Sequence, residues 1–141
     1  MKHVFLDTNI LVDFVLADRP DHKYAELIMR CIQTGRLCAY TSAQSLLDLS
    51  YIISKGNKAR ISEIGKIVQQ FSNTLIVCDT LKHHVSMAAN HYCDDFEDAV
   101  LAATALDAYC DLIVTNDATF DDPFGLPIVS PDEFCREFIE E

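Results

Sequence analysis

Aspartates recur at four places in this 141-residue chain where their neighbours suggest more than a charged surface. Asp7 closes the apolar run Val4-Phe5-Leu6 and is followed by Thr8-Asn9. Asp48 lies inside Leu46-Leu47-Asp48-Leu49, a setting in which a partly buried carboxylate needs a partner or a cation. Asp95 and Asp98 stand three apart at the start of a helical stretch and so share a face. Asp117 ends Thr115-Asn116-Asp117, just past another apolar run. Singly, each has a plainer reading: Asp7 as a helix cap, Asp48 as a solvent-facing position on an amphipathic helix, Asp117 as a turn residue. Brought together, they would make an all-oxygen site for a hard cation, Mg²⁺ or Mn²⁺. Such a site suits metal-assisted phosphodiester hydrolysis, in which one ion generates hydroxide and a second, roughly 3.5–4 Å away, stabilises the leaving oxygen.

Elements that could gather these acids are legible in the hydrophobic pattern. Val4–Leu6, Leu37–Tyr40, Leu75–Cys78 and Leu112–Val114 are short continuous apolar runs, with Pro127–Val129 a weaker fifth. Continuous rather than alternating runs are expected of parallel strands covered on both faces. Helical spacing fills the intervals at 21–34, 43–54, 58–71, 80–92, 95–109 and 131–139. The second of these, with Leu46, Leu47, Leu49, Ile52 and Ile53, is expected to be largely buried. Gly35 stops the first helix, Ser42 is a candidate cap for the second, and Pro131 falls at the first position of the last. Strands alternating with helices predict an α/β domain with a mainly parallel sheet of about five strands and helices on both faces. Residues 1–141 read as one domain without repeat or linker. Ligands of such sheets bind beyond the carboxyl ends of the strands, where Asp7, Thr41-Ser42 and Thr115–Asp117 all fall.

Composition narrows the classes further. The formal charge is −11, which taken whole argues against a general polyanion binder. The charge is uneven: residues 1–78 carry nine Lys/Arg against seven Asp/Glu, and residues 79–141 two against fifteen. No apolar run is long enough to cross a bilayer, and no secretory signal is evident. Six cysteines without a C-x-x-C pair read as small buried hydrophobes in a reducing, cytoplasmic setting. Four glycines leave no G-x-G-x-x-G and no P-loop. His83-His84 reads as surface, and no histidine forms an evident triad with Ser or Cys.

The ordered set of motifs resembles the PIN-domain ribonucleases, which include the VapC-like toxins of bacterial toxin–antitoxin pairs. The matching pieces are Val4–Leu11, Thr41-Ser42 through Asp48-Leu49, Asp95–Ala99 running into Ala102–Ala105, Ile113–Asp117 with Phe120, and Pro127–Pro131. The resemblance implies a three-layer αβα fold and a Mg²⁺- or Mn²⁺-dependent endoribonuclease, often dimeric. It maps an acidic site onto Asp7, Asp48, Asp98 and Asp117, with Asp7, Asp98 and Asp117 as metal ligands. Asp95 resembles an auxiliary acid, and Asn9 and Thr115 resemble polar residues that position acids or water. Two positions depart from the pattern: the middle acid is Asp48 rather than Glu, and Thr119 stands where another acid often appears.

RNA must approach an acidic protein, and Lys55, Lys58 and Arg60, in a window with few acids, are the candidate phosphate contacts. Arg19 and Lys23 are second choices. The expected partners are RNA, a small antitoxin and a second copy of the chain. Two other readings stand beside the nuclease. One is a catalytically silent PIN-like module that binds RNA or protein. The other is an α/β phosphotransfer enzyme with Asp7 as nucleophile, against which Asn9 counts because an acid belongs two residues on.

Overall fold

A computed structural model describes residues 1–55 and 62–139. Five parallel strands, β1 (Lys2–Leu6), β2 (Leu37–Ser42), β3 (Ile76–Cys78), β4 (Leu112–Val114) and β5 (Ile128–Val129), form one sheet in the order β3-β2-β1-β4-β5. The chain winds outward from β1 to β3, then crosses back to place β4 on the other side of β1. That reversal opens a crevice between β1 and β4 at their carboxyl ends, the usual ligand position in an open parallel sheet.

Between the strands run α1 (Thr8–Val15), α2 (His22–Gln33), α3 (Ala43–Ser54), α4 (Ile64–Thr74), α5 (Lys82–Ala89), α6 (Phe96–Asp107) and α7 (Pro131–Phe134), the last running into a π-helical turn at Cys135–Ile139. β1 shows why the apolar runs are continuous. Val4, Phe5 and Leu6 are all fully buried, Val4 and Leu6 in the core formed with α1 and α2, and Phe5 on the opposite face against Ala102 and Ala105 of α6. The small residues of α6 let it lie close to the sheet, as their spacing predicts. α1 was not among the expected helices; of the helix expected over 58–71, α4 from Ile64 is described, and residues 56–61 lie outside the described residues.

Capping accounts for how several elements meet. Ser42 Oγ accepts from the N–H of Ser45 at 3.0 Å and starts α3; Ser130 caps α7 with Pro131 behind it. At the end of α2, Gly35 takes φ +78°, and the N–H of Arg36 reaches back to the carbonyl of Cys31 at 2.8 Å. The same closure ends α6, but there the left-handed position is Tyr109 at φ 61°.

Three expectations are corrected. α3 is not largely buried: Leu46, Leu49 and Ile53 face the core, whereas Leu47 (65% exposed), Tyr51 (67%) and Ile52 face outward. His84 is buried rather than on the surface: its Nδ1 accepts the N–H of Leu81 at 3.0 Å and its Nε2 meets Asp107 Oδ2 at 2.9 Å. The cysteines are all free thiols, but only Cys31, Cys110 and Cys135 are fully buried. Among the described residues, no helix is long and apolar enough to cross a membrane.

Candidate active site

β1 ends at Leu6, and the next residue turns the chain into α1. Asp7 is therefore the N-cap of α1, its Oδ1 accepting the N–H of Thr8 at 2.7 Å. Its other oxygen does different work. Asp7 Oδ2 accepts the hydroxyl of Thr115 at 2.8 Å and the amide of Asn9 at 3.2 Å. Thr115 follows β4, so this bond spans the crevice. Thr115 Oγ1 also accepts from Asn9 Nδ2 at 3.0 Å and from the N–H of Asp117 at 3.1 Å. Asp7 thus caps α1 with one oxygen and is held at the crevice by the other, where Asn9 and Thr115 both touch its carboxylate.

Asp98 comes from α6, whose N-cap is Asp95; Asp95 Oδ1 accepts the N–H of Asp98 at 3.1 Å. Asp48 comes from the middle of α3, half-buried, with Oδ1 accepting the Gln44 amide at 3.0 Å. Asp7, Asp48, Glu97 and Asp98 line one open cavity of about 650 Å³, together with Asn9, Arg19, Ser42 and an apolar rim of Tyr51, Ile52, Val85 and Phe96. Glu97 was not among the expected acids. Asp117 does not line the cavity, but lies close enough to raise both Asp7 and Asp98 electrostatically.

The acids pay for their proximity in proton affinity. Burial raises the Asp7 carboxyl, with Asp117 adding to the rise and the Thr115 and Thr8 hydrogen bonds opposing it. Asp98 is pushed up to about 7, first by burial, then by Asp95, with Asp7 and Asp117 contributing. Glu97 is raised by burial and by Asp48, Asp95 and Asp7. Asp117 goes the other way: the hydroxyl and N–H of Thr119, at 2.7 and 2.9 Å from its Oδ1, hold it below its ordinary value. Thr119 therefore supports the last acid instead of supplying another. Asp121 accepts the N–H of Asp94 at 2.7 Å, and Asp122 those of Phe124 and Leu126, which shapes the loop.

Crowded carboxylates raised by one another are what a hard divalent cation relieves, and the donor set is all oxygen. Among the described residues, however, no three His, Cys, Asp or Glu side chains already stand in a metal-holding group. The chemistry of the donors fits such an ion, while the side chains as they lie do not form a closed ligand set.

Of the expected RNA contacts, Lys55 is exposed at the C-cap of α3 and is not among the cavity-lining residues. Lys58 and Arg60 lie outside the described residues. Sequence reasoning missed Asp13. It is 1% exposed on α1, with Oδ1 accepting Arg19 Nε at 2.9 Å and Oδ2 accepting Asn116 Nδ2 at 2.6 Å. A charged residue inside Ile10-Leu11-Val12-Asp13-Phe14 was the available signal.

Comparison with known proteins bears on the family and the fold. Ribonuclease VapC1 of Aquifex aeolicus (strain VF5) is 28% identical over 143 residues, covering 97% of this chain and 96% of the relative. Two solved structures share the fold. VapBC2 from Rickettsia felis, bound to a DNA fragment from their promoter, matches with a TM-score of 0.69 at 17% identity, covering 91% of this chain and 98% of that one. VapC20 of Mycobacterium tuberculosis, a sarcin-ricin loop cleaving toxin, matches with a TM-score of 0.62 at 16% identity, covering 81% and 91%. A family model described as PIN domain matches residues 3–119, which takes in β1 through the Thr115–Asp117 turn, and on that match the chain belongs to the PIN-domain family.

Proposed function

We propose that this protein is a divalent-metal-dependent endoribonuclease and the toxin of a toxin–antitoxin pair. The observation that carries the reading is the meeting of Asp7, Asp48 and Asp98 in one cavity at the β1/β4 crevice, with Asp117 beside it. The likeness to Ribonuclease VapC1 over nearly the whole chain supports the activity, and the fold shared with VapBC2 supports an antitoxin partner. A cytoplasmic location follows from that role.

Asp7, Asp98 and Asp117 would hold Mg²⁺ or Mn²⁺. When bound, the ion supplies Lewis acidity, easing deprotonation of a water and offsetting phosphate charge. The chain's own residues do the rest. Thr115 and Asn9 fix Asp7 Oδ2 so that the carboxylate faces the crevice. Thr119 keeps Asp117 ionised. Asp48, on α3, uses Oδ1 for Gln44 and leaves Oδ2 without a hydrogen bond among the described residues, free to take a proton from the attacking water. Asp95 holds the N–H of Asp98 and so orients the first turn of α6. Lys55, with Lys58 and Arg60, would meet phosphates of the RNA beyond the cavity. The exposed Leu47, Tyr51 and Ile52 support a homodimer, which sedimentation of the purified chain would reveal.

A catalytically silent module is the second reading, favoured by Asp48, one methylene shorter than the Glu that the family pattern most often has there. One experiment separates the two. The purified protein is incubated with a mixed RNA pool in Mn²⁺, in EDTA, and as the Asp7→Asn and Asp98→Asn variants. Cleavage that needs the metal and both acids is expected. Cleavage that survives EDTA or both substitutions refutes the assignment, and no cleavage at all selects the silent module.

A further inference from the structure

Arg19 is the one basic side chain among the described residues lining the acidic cavity, where it stands with Asp7, Asp48, Glu97 and Asp98. Its position is built. Asp13, buried on α1, binds Arg19 through Nε only, and the arginine side chain remains 39% exposed. No hydrogen bond from Nη1 or Nη2 is found among the described residues, so the end of the guanidinium that pairs best with phosphate stays free.

An ion pair serving stability alone has no need to connect to the site, and this one does. The second oxygen of Asp13 accepts Asn116 Nδ2 at 2.6 Å. The backbone N–H of Asn116 donates to Asn9 Oδ1 at 3.2 Å, and Asn9 Nδ2 donates to Asp7 Oδ2 at 3.2 Å. Arg19 and Asp7 are thus tied to one hydrogen-bonded chain crossing from α1 to the turn after β4. A cavity walled by carboxylates repels a polyanion everywhere except at its fixed cation, so that cation decides where a phosphate can sit.

We propose that Arg19 binds a backbone phosphate of the RNA in this cavity, and that Asp13 is the positioning residue that aims Arg19 and ties it to Asp7. The proposal rests on the ribonuclease reading and adds to it the residue that seats the substrate.

The test uses the full chain as wild type, Arg19→Gln, Asp13→Asn and the double variant, each first checked by circular dichroism. Binding of a fluorescently labelled single-stranded RNA of mixed sequence is followed in EDTA across a salt series. Arg19→Gln is expected to weaken binding roughly tenfold. Loss of one phosphate contact should reduce the slope of log affinity against log salt by about 0.7. Asp13→Asn should lower affinity in the same direction, and the double variant should bind no more weakly than Arg19→Gln alone. If Asp13→Asn does not fold, Asp13→Glu, which keeps the charge and displaces the guanidinium, replaces it; wild-type affinity there would overturn the positioning role. A folded Arg19→Gln protein with an unchanged salt slope overturns the phosphate contact, as does a wild type that binds no RNA. Mn²⁺-dependent cleavage of the same RNA is read in parallel. Cleavage with an unchanged slope removes Arg19 and leaves the nuclease standing, whereas a reduced slope without cleavage keeps Arg19 and removes the nuclease.

Discussion

Asp98 should make the metal-free protein less stable as pH rises, and Asp98→Asn should remove that penalty. Its carboxyl is pushed up to about 7 in the folded chain, from an ordinary 3.8. The folded state therefore holds the proton more tightly than the unfolded chain does. The favourable contribution is complete below about pH 3.8 and is lost as pH rises to 7. At about 1.36 kcal/mol per pH unit, a gap of roughly three units sets a ceiling of about 4 kcal/mol. Asp98 is only half-buried, so solvent screening reduces this to about 1–2 kcal/mol. Asparagine keeps the shape and carries no charge. In EDTA, thermal melts followed by circular dichroism should show Asp98→Asn melting higher than wild type by roughly 3–6 °C at pH 8, with the difference shrinking toward zero as the pH approaches 4. Added Mn²⁺ should raise the wild-type melting temperature more than that of the variant. An Asp98→Asn protein that melts at or below wild type at pH 8, or a difference that does not change with pH, would refute the electrostatic account of the site.

Three other substitutions follow from single contacts. Thr115→Val removes the hydroxyl that bonds Asp7, Asn9 and the N–H of Asp117, and should cost about 1–3 kcal/mol in urea unfolding. The same change should move the Asp7 carboxyl still higher in a carbon-detected NMR titration, because the Thr115 bond is the largest influence holding it down. Tyr109→Gly should stabilise the fold by about 0.5–1 kcal/mol, since an exposed non-glycine residue holds φ 61° after α6; an unchanged or lower denaturation midpoint would contradict this. Phe5→Ala empties the centre of the face between β1 and α6 and should cost about 3–5 kcal/mol, measured by the urea midpoint.

What could be read from the chain, and what could not, divides along physical lines. Three successive apolar residues in β1 cannot all face one side of a strand, so burial on both faces was legible before any coordinates. The rule for parallel sheets then put Asp7 and Thr115 at the same end of the sheet, and the strand order, which the sequence did not reveal, sets them beside each other. α1 was hidden because Ile10, Leu11 and Val12 are all buried, and a continuous buried run carries no helical period. α3 has more apolar residues than one face can take, and only packing decides that Leu47 and Ile52 are left outside. Asp13 was missed because its two side-chain partners are Arg19, across the turn after α1, and Asn116, 103 residues away. His84 was misjudged for a similar reason: its partner Asp107 lies on another helix.

The position of β1 in the sheet also sets an order of assembly. β1 pairs with β2 through Leu37–Tyr40, but its other edge must wait for Leu112–Val114. Closing that pair spans more than a hundred residues, a long-range contact of the kind that forms slowly. Thr115 and Asp117 arrive with β4, so a growing chain can hold Asp7, Asp48 and Asp98 with the crevice still unmade. The complete crevice, and any chemistry it supports, is thereby tied to completion of the sheet.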